Sequence, residues 1–329
     1  NSLSLNPIFE DAFSPWVRAE MAVKNQEWLD ALKWIPLGQL QRIETGSFVL
    51  ATIAMLVWAT ILLQLCQFWR FDKWTPILCV AGLLLGMLST TPTLFWILLE
   101  DRFLPFSEGG DLFHSIVYYI ATVGLREEAC KLLLLIPLTP MLIKRGNELE
   151  FLLVASFVGL GFAYEENFSY LSTSWGTGSI ARFLTANFLH ISLTGMCGLF
   201  FCRMWKTHGF SYNDFLFIFG VAIIAHGLYD ALLTHPPMND QGFTAMILYI
   251  VFSKYYFKET HGLRITASMA ISMSATMAFG ISLLIASLIV YLSALFGLSQ
   301  AIQLAFGGFL GTAIILFMFF REFNESLGD

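Results

Sequence analysis

The chain has 329 residues, of which 57% are hydrophobic and 13% are charged, and its formal net charge is −6. A soluble domain carries about 25% charged residues, so this composition excludes an ordinary soluble enzyme and predicts an all-α fold, a polytopic membrane helix bundle. Because the acidic balance leaves no basic face to meet phosphates, nucleic acid is excluded as a partner and the lipid bilayer is the expected surrounding.

The first predicted domain, residues 1–45, is less apolar than the rest of the chain. Ser14 followed by Pro15 is typical of a helix start, because the hydroxyl caps the first turn and Pro is favoured at the first helical position. Apolar residues then recur on one face at helical spacing: Val17, Met21, Trp28 and Leu32. Pro36 ends this pattern. We expect an amphipathic helix that either lies on the bilayer surface or packs against the bundle.

A membrane-spanning helix needs roughly 20 apolar residues. We predict nine such segments after the N-terminal part: 46–68, 75–99, 113–140, 151–172, 180–204, 213–234, 241–257, 268–296 and 299–320. They divide the rest of the chain into three further predicted domains: the first two spans in 46–112, a catalytic four-helix core in 113–234, and the C-terminal spans in 235–329.

Lysine and arginine residues predict the orientation of the bundle, because they are enriched in cytoplasmic loops. The even-numbered loops between predicted spans contain only Arg102 and Arg182. The odd-numbered loops and their borders contain Arg70, Lys73, Lys144, Arg145, Arg203, Lys206, Lys254, Lys258 and Arg264. We therefore predict that the N-terminus lies outside and the C-terminus lies in the cytoplasm, although the basic residues of 1–45 argue against this.

Four consecutive predicted spans carry ionisable or strongly polar side chains within the membrane. These are Glu127, Glu128 and Lys131, then Glu166 and Asn167, then His190 and Thr194, and finally His226 and Asp230. A charged side chain at mid-bilayer costs at least about 3 kcal/mol, so such residues usually have a function. Residues four apart share a helix face, and the predicted depths place all four spans' polar groups in one cavity in the outer half of the membrane.

Three stretches of this core resemble the motifs of a known family. EEACK, FAYEEN and HGLYD match the EExxK, FxxxEN and HxxxD motifs of the PrsW family of intramembrane proteases, which is similar in turn to the CAAX prenyl endopeptidases. The matched residues are Glu127, Glu128, Lys131, Phe162, Glu166, Asn167, His226 and Asp230, and His190 with Thr194 resembles a position in the family's intervening helix. The resemblance implies a peptidase of a bacterial or archaeal cytoplasmic membrane that cleaves a membrane-anchored protein, such as an anti-sigma factor.

Peptide hydrolysis needs an activated water, stabilisation of the oxyanion and a proton for the leaving amine. The predicted catalytic residues are Glu127, Glu128, Glu166, His190, His226 and Asp230, supported by Lys131, Asn167 and Thr194. Either adjacent glutamate can be the base while Lys131 neutralises the other. We favour Glu127 as the base with Glu128 supporting it.

The sequence leaves the metal requirement open. There is no HExxH motif, so a zincin mechanism is excluded. Zn²⁺ can still be held by Glu166, His190 and His226. Without metal, His226 would act with Asn167 or Asp230 to orient water or donate to the oxyanion. The chain also departs from the CAAX prenyl endopeptidases, which have His where this chain has Glu166 and Asn where it has Asp230.

Other interpretations remain at this point. Glu127 with Lys131 can be a structural ion pair, and His190 can make an ordinary interhelical hydrogen bond. A proton- or divalent-cation-coupled transporter would also place carboxylates and imidazoles in the membrane, but it usually shows repeats and broken helices, and neither is visible. A non-catalytic membrane receptor is the second alternative. The sequence carries no indication of an oligomeric state.

Overall fold

The computed structural model describes residues 13–104, 112–206, 212–234, 242–265 and 272–325. These residues are helical, with no strand among them, which confirms the all-α prediction. Residues 1–12 of the predicted N-terminal domain, and 241 and 268–271 at the starts of two predicted spans, lie outside the described residues.

The helices follow one another with short connections and are numbered here in chain order. They are α1 (Pro15–Lys24), α2 (Trp28–Gln41), α3 (Thr45–Leu65), α4 (Thr75–Phe103), α5 (Leu112–Tyr118), α6 (Leu125–Leu135), α7 (Thr139–Arg145), α8 (Glu148–Thr173), α9 (Ser179–Leu184), α10 (Ala186–Lys206), α11 (Tyr212–Thr234), α12 (Gly242–Leu263), α13 (Met273–Phe296) and α14 (Leu298–Glu325). A π-helical segment, Tyr119–Gly124, joins α5 to α6 without a break.

Five helical stretches in the described ranges are long and apolar enough to cross a membrane. They are α3, α4, α9 with α10, α11 and α13, and α14 becomes a sixth if its two halves, bent by 55°, count as one span. The stretches correspond to five of the nine predicted spans. The helix α6 has 11 residues and is too short to span by itself, and the polar end of α8 lowers its mean hydropathy. The nine-span arrangement stays a prediction.

The helix α8 lies at the centre of the bundle and packs against α3, α4 and α10. Every residue from Leu149 to Tyr164 is buried. Gly159 lies against the backbone carbonyl of His190, so a Cβ there would overlap α10. Small residues permit such close approach of helix backbones in membranes. The close contact fixes the middle of α8 against the start of α10.

The N-terminal segment is a hairpin of two helices rather than one continuous helix. Ser14 caps α1 as predicted, since the Val17 amide donates to its hydroxyl. The prediction that Pro36 ends the helix is wrong, because Pro36 lies inside α2, and the break comes instead at Gln26, whose φ is 63°. Small and apolar side chains of the hairpin pack with α4: Ala19, Ala22, Val23, Ala31, Ile35 and Leu98. Packing against the bundle thus applies to this hairpin, and contact with the bilayer surface stays a prediction.

A polar cluster ties the loop after α3 to α7 and α8, away from the predicted site. Arg145 pairs with Asp72 at 2.6 Å and with Glu150 at 2.7 Å. The hydrogen bonds from Arg145 lower the pKa of Asp72 to about 2. The cluster fixes where α4 and α8 begin relative to each other.

Candidate active site

The predicted polar residues come together where α8 ends, α10 begins and α11 nears its end, beside the first turns of α6. The Glu128 carboxylate is the centre of one half of this group. Its Oε1 accepts a hydrogen bond from Lys131 Nζ at 2.7 Å and from His226 Nδ1 at 2.8 Å. Lys131 Nζ also lies 2.8 Å from His190 Nδ1 and 4.1 Å from the ring centroid of Phe162. Glu128, Lys131 and His226 are all buried, so this ion pair orients the His226 ring inside the bundle.

The neighbouring carboxylate, Glu127, has different surroundings. Its Oε2 is buried and has no hydrogen-bond donor among the described residues. The nearest charged nitrogen, Lys131 Nζ, is 3.7 Å away, and His226 Nε2 is 3.4 Å away. Asp230 Oδ2 also lies 3.4 Å from His226 Nε2. Since His226 Nδ1 bonds to Glu128, its Nε2 is the nitrogen that faces Glu127 and Asp230.

The second half of the group joins α8 to α10. An ammonium group can only donate, so Lys131 donates to His190 Nδ1, and His190 donates through Nε2 to Glu166 Oε2 at 3.0 Å. The rings of His190 and His226 meet edge to face, with centroids 5.0 Å apart. The two halves are therefore in direct contact, and four helices contribute to one continuous polar site.

One member of the site was missed from the sequence. Arg182, on α9, donates through Nη2 to Glu166 Oε2 at 2.5 Å and through Nε to Asn167 Oδ1 at 2.6 Å. Asn167 in turn donates to Asn187 Oδ1 at 2.9 Å. The sequence interpretation counted Arg182 only as a loop residue. Arg182 lies 16 residues after Glu166, at the turn between two predicted spans. That position, close to the motif glutamate, is the sequence feature that could have indicated its role.

The π-helical segment Tyr119–Gly124 brings α11 against α6, and the sequence interpretation missed it as well. Gly227 lies directly against the backbone of Ile120, and Gly124 lies against the carbonyl of Ile223. A Cβ at either glycine would overlap backbone atoms of the other segment. These contacts place His226, the neighbour of Gly227, next to Glu127 and Glu128. Single π-helical turns are frequent at functional sites.

Two polar residues near the site are not joined to it. Thr194 is buried on α10, but its Oγ1 has no hydrogen-bond partner among the described residues. Glu165 points to the other side of α8, where its Oε1 accepts a hydrogen bond from Gln39 Nε2 at 2.8 Å. The structure thus brings together all the predicted site residues except Thr194.

The site fits a divalent cation. Glu127, His190 and His226 each offer a ligand atom, and these atoms lie within 4.8 Å of one another. This trio differs from the set predicted from sequence, which has Glu166 where the structure groups Glu127. The 3.4 Å between Glu127 Oε2 and His226 Nε2 is close to the ligand–ligand distance of about 3.4 Å that tetrahedral bonds of about 2.1 Å require. Glu128 holds the opposite nitrogen of His226, as partners of metal-binding histidines usually do.

The charges of the site agree with that fit. Four carboxylates meet here, those of Glu127, Glu128, Glu166 and Asp230. The cations paired with them are Lys131 and Arg182. With neutral imidazoles, four negative and two positive charges leave a net charge of −2. A buried site with this charge is suited to a dication.

Comparison with known proteins supports the same conclusion about the core. A family model described as "PrsW family intramembrane metalloprotease" matches residues 75–256, more than half of the chain. The match runs from the start of α4 into α12 and includes every predicted site residue. No curated protein and no solved structure matches the chain.

Proposed function

Because the chain belongs to the PrsW family of intramembrane metalloproteases and is therefore a membrane-embedded peptidase, we propose that it hydrolyses a peptide bond of a membrane-anchored protein by means of the Glu127 site. The observation that carries this proposal is the state of Glu127 Oε2. It is a buried carboxylate oxygen with no hydrogen-bond donor among the described residues, and it lies 3.4 Å from His226 Nε2. A water beside Glu127 would donate a hydrogen bond to this oxygen and would be ready to lose that proton.

In the proposed reaction Glu127 is the general base. The water oxygen attacks the carbonyl carbon of the substrate while its proton passes to Glu127. Glu127 then delivers the proton to the leaving nitrogen as the C–N bond breaks. The Glu128–Lys131 pair keeps His226 in one orientation through Nδ1, and Asp230 lies 3.4 Å from the other ring nitrogen, Nε2.

Glu127, His190 and His226 would hold a divalent cation, and zinc suits two imidazoles and one carboxylate. Such an ion would polarise the substrate carbonyl and lower the pKa of a bound water. To bind it through Nε2 as a neutral imidazole, His190 would need its proton on Nδ1, which Lys131 at 2.8 Å would supply, while the Glu166 carboxylate at 3.0 Å would take up the Nε2 proton. In this metal-bound form Glu127 would be a ligand. Glu166 would then be the proton acceptor, the role that Glu127 has in the form without metal.

The proposed substrate is a single-pass membrane protein, for example an anti-sigma factor. The site lies at the end of the bundle where α8 ends and α10 begins, and the lysine and arginine pattern favours the extracytoplasmic side for that end. The scissile bond should therefore lie near the extracytoplasmic end of the substrate's span. We also propose that the chain has nine spans, an N-terminal hairpin at the membrane surface and a cytoplasmic C-terminus.

The test is cleavage of a single-span substrate by the purified protein in detergent. Glu127→Gln, Glu128→Gln and His226→Ala should each lower the cleavage rate by at least about 100-fold while the protein stays folded. Glu165→Gln is the matched control, because it changes a carboxylate on α8 that bonds to Gln39 and not to the site. Wild-type turnover by any two of the three site variants would overturn the assignment. A transporter or a receptor would leave the substrate intact.

A chelator separates the two forms of the mechanism. If a metal is required, exhaustive chelation removes both the activity and the bound metal measured by elemental analysis, and Zn²⁺ restores both. Full activity in metal-free protein would exclude a metal requirement and support the mechanism in which glutamate alone activates the water.

A further inference from the structure

Arg182 is a site residue that lies outside the three motifs, and its side chain has several partners. The short helix α9 carries it across the gap between α8 and α10. Its guanidinium carbon lies 4.0 Å from the ring centroid of Tyr170, so the planar group stacks on an aromatic side chain of α8. From this position two of its nitrogens donate to two neighbouring residues, Glu166 and Asn167.

These contacts are part of a hydrogen-bond network that links side chains of α8 and α10. Glu166 and Asn167 are adjacent on α8, while Asn187 and His190 are three apart on α10. Asn167 bonds to Asn187 at 2.9 Å, and Glu166 bonds to His190 at 3.0 Å. Arg182 connects the α8 ends of both bonds. If Arg182 were absent, both α8 side chains would be free to change rotamer.

The charge of Glu166 depends on the same contact. Glu166 lies in a group of four carboxylates that has Lys131 and Arg182 as its cations, and Lys131 is already bonded to Glu128. Arg182 is therefore the cation paired directly with Glu166. Hydrogen bonds between an arginine and a carboxylate are short and direct the carboxylate oxygen as well as neutralising it.

We propose that Arg182 is a positioning residue that fixes the Glu166 carboxylate against His190 and so sets the geometry of the site. The inference rests on the proposed function and deepens it. Arg182 acts through Glu166, so it should affect the rate of the chemical step and leave substrate binding nearly unchanged. Lysine keeps the charge but has no planar fork to hold both partners in fixed directions, so it should replace arginine in part.

The kinetic test compares Arg182→Gln and Arg182→Lys with Arg102→Gln, which removes an exposed arginine whose guanidinium lies over the Phe103 ring. Arg182→Gln should lower kcat by about 100-fold with KM within about threefold of wild type. Arg182→Lys should lose less, and Arg102→Gln should match wild type. A raised KM with unchanged kcat would mean that Arg182 binds substrate and would overturn the proposal, as would unchanged kinetics. If Arg182→Gln does not fold, the kcat of Arg182→Lys decides by the same criterion.

A second measurement does not depend on catalysis. Thermal unfolding in detergent with chelator present is compared for Arg182→Lys, Glu166→Gln and the double variant. If the two residues act as a pair, the double variant unfolds no earlier than the less stable single variant. Additive losses would overturn the proposed contact. If the wild type cleaves no substrate, the proposed function fails, but this coupling still decides the role of Arg182.

Discussion

Glu127 and Glu128 are neighbours in sequence and have the same chemistry, yet their surroundings differ. Successive residues of an α-helix point about 100° apart. That rotation turns Glu128 towards Lys131 and His226, where two donors satisfy one oxygen. It turns Glu127 to the space in front of His226, where its Oε2 stays without a donor among the described residues. The two glutamates thus divide the work: Glu128 holds the histidine, and Glu127 remains reactive.

Thr194 allows a prediction at the same scale, since its buried hydroxyl has no partner among the described residues. Thr194→Val keeps the shape and removes a polar group that makes no bond, so stability should stay the same or rise. Cleavage should remain within about twofold of wild type. Asn187→Leu is the contrasting variant, because it removes the acceptor for Asn167 and should lower the free energy of unfolding by about 1–3 kcal/mol. A large loss of cleavage in Thr194→Val would show that the hydroxyl works through a bound water.

At the scale of residues, sequence spacing could predict contacts within one helix. It could not predict contacts between side chains of different elements. Pairs four apart, such as His226 and Asp230, meet as the helical repeat requires. Arg182 was missed because its partners lie on another element, and a contact across a turn has no periodic signal. The role of each glutamate was open for a similar reason, since it depends on which face of α6 meets α11.

At the scale of elements, the π-helical segment before α6 has the largest effect on the site. A π-turn holds one residue more than an α-turn, and it shifts every later side chain around the helix axis. The shift occurs just before the two glutamates, where α11 approaches through Gly227. Backbone hydrogen-bond register of this kind depends on the partner helix, so the sequence of α6 alone could not predict it. The same holds for the break at Gln26 and the helical position of Pro36, both of which lie in a hairpin packed on α4.

Two alanine substitutions on α11 test this contact. Gly227→Ala places a Cβ against the backbone of Ile120, which cannot move away as a side chain would. We expect a loss of about 1–3 kcal/mol in stability and a clear loss of cleavage, because His226 moves from the glutamates. Gly220→Ala is the matched control on the same helix, since nothing lies within 4 Å of its Cβ position. Equal thermal unfolding and cleavage of the two variants would show that the close contact does not matter.

At the scale of the whole molecule, hydropathy identifies five helical stretches, including the buried α10, but not the central helix α8. α8 is enclosed by other helices, so its polar residues meet protein instead of lipid. An enclosed helix does not need an apolar surface to be stable in a membrane, and its mean hydropathy is correspondingly low. The sequence predicted nine spans from the lengths of their apolar stretches, and five of these are clearly apolar spans in the described residues. The motifs then identified the four that form the core.

The orientation of the molecule can be tested with a membrane-impermeant thiol reagent on intact cells. The native cysteines of the chain are buried and should stay unlabelled. Asp101→Cys and Lys73→Cys each place a thiol at an exposed position, at opposite ends of α4. With the N-terminus outside, Asp101→Cys should be labelled in intact cells and Lys73→Cys only after permeabilisation. The reverse pattern would overturn the orientation and the expected side of substrate cleavage.

The distances along the chain between paired charges have a consequence for how the protein is made. Lys131 and its partner His190 are 59 residues apart, and Glu128 and its partner His226 are 98 residues apart. At about 5–20 residues per second, the ribosome reaches His226 about 5–20 s after Glu128. During that time α6 carries charges that cost about 3 kcal/mol each in lipid and that have no partner from α10 or α11. A stable place in the bilayer for α6 exists only after those helices emerge, so biogenesis of the core ends in one late assembly step, and chains interrupted before α11 should be cleared by membrane quality control.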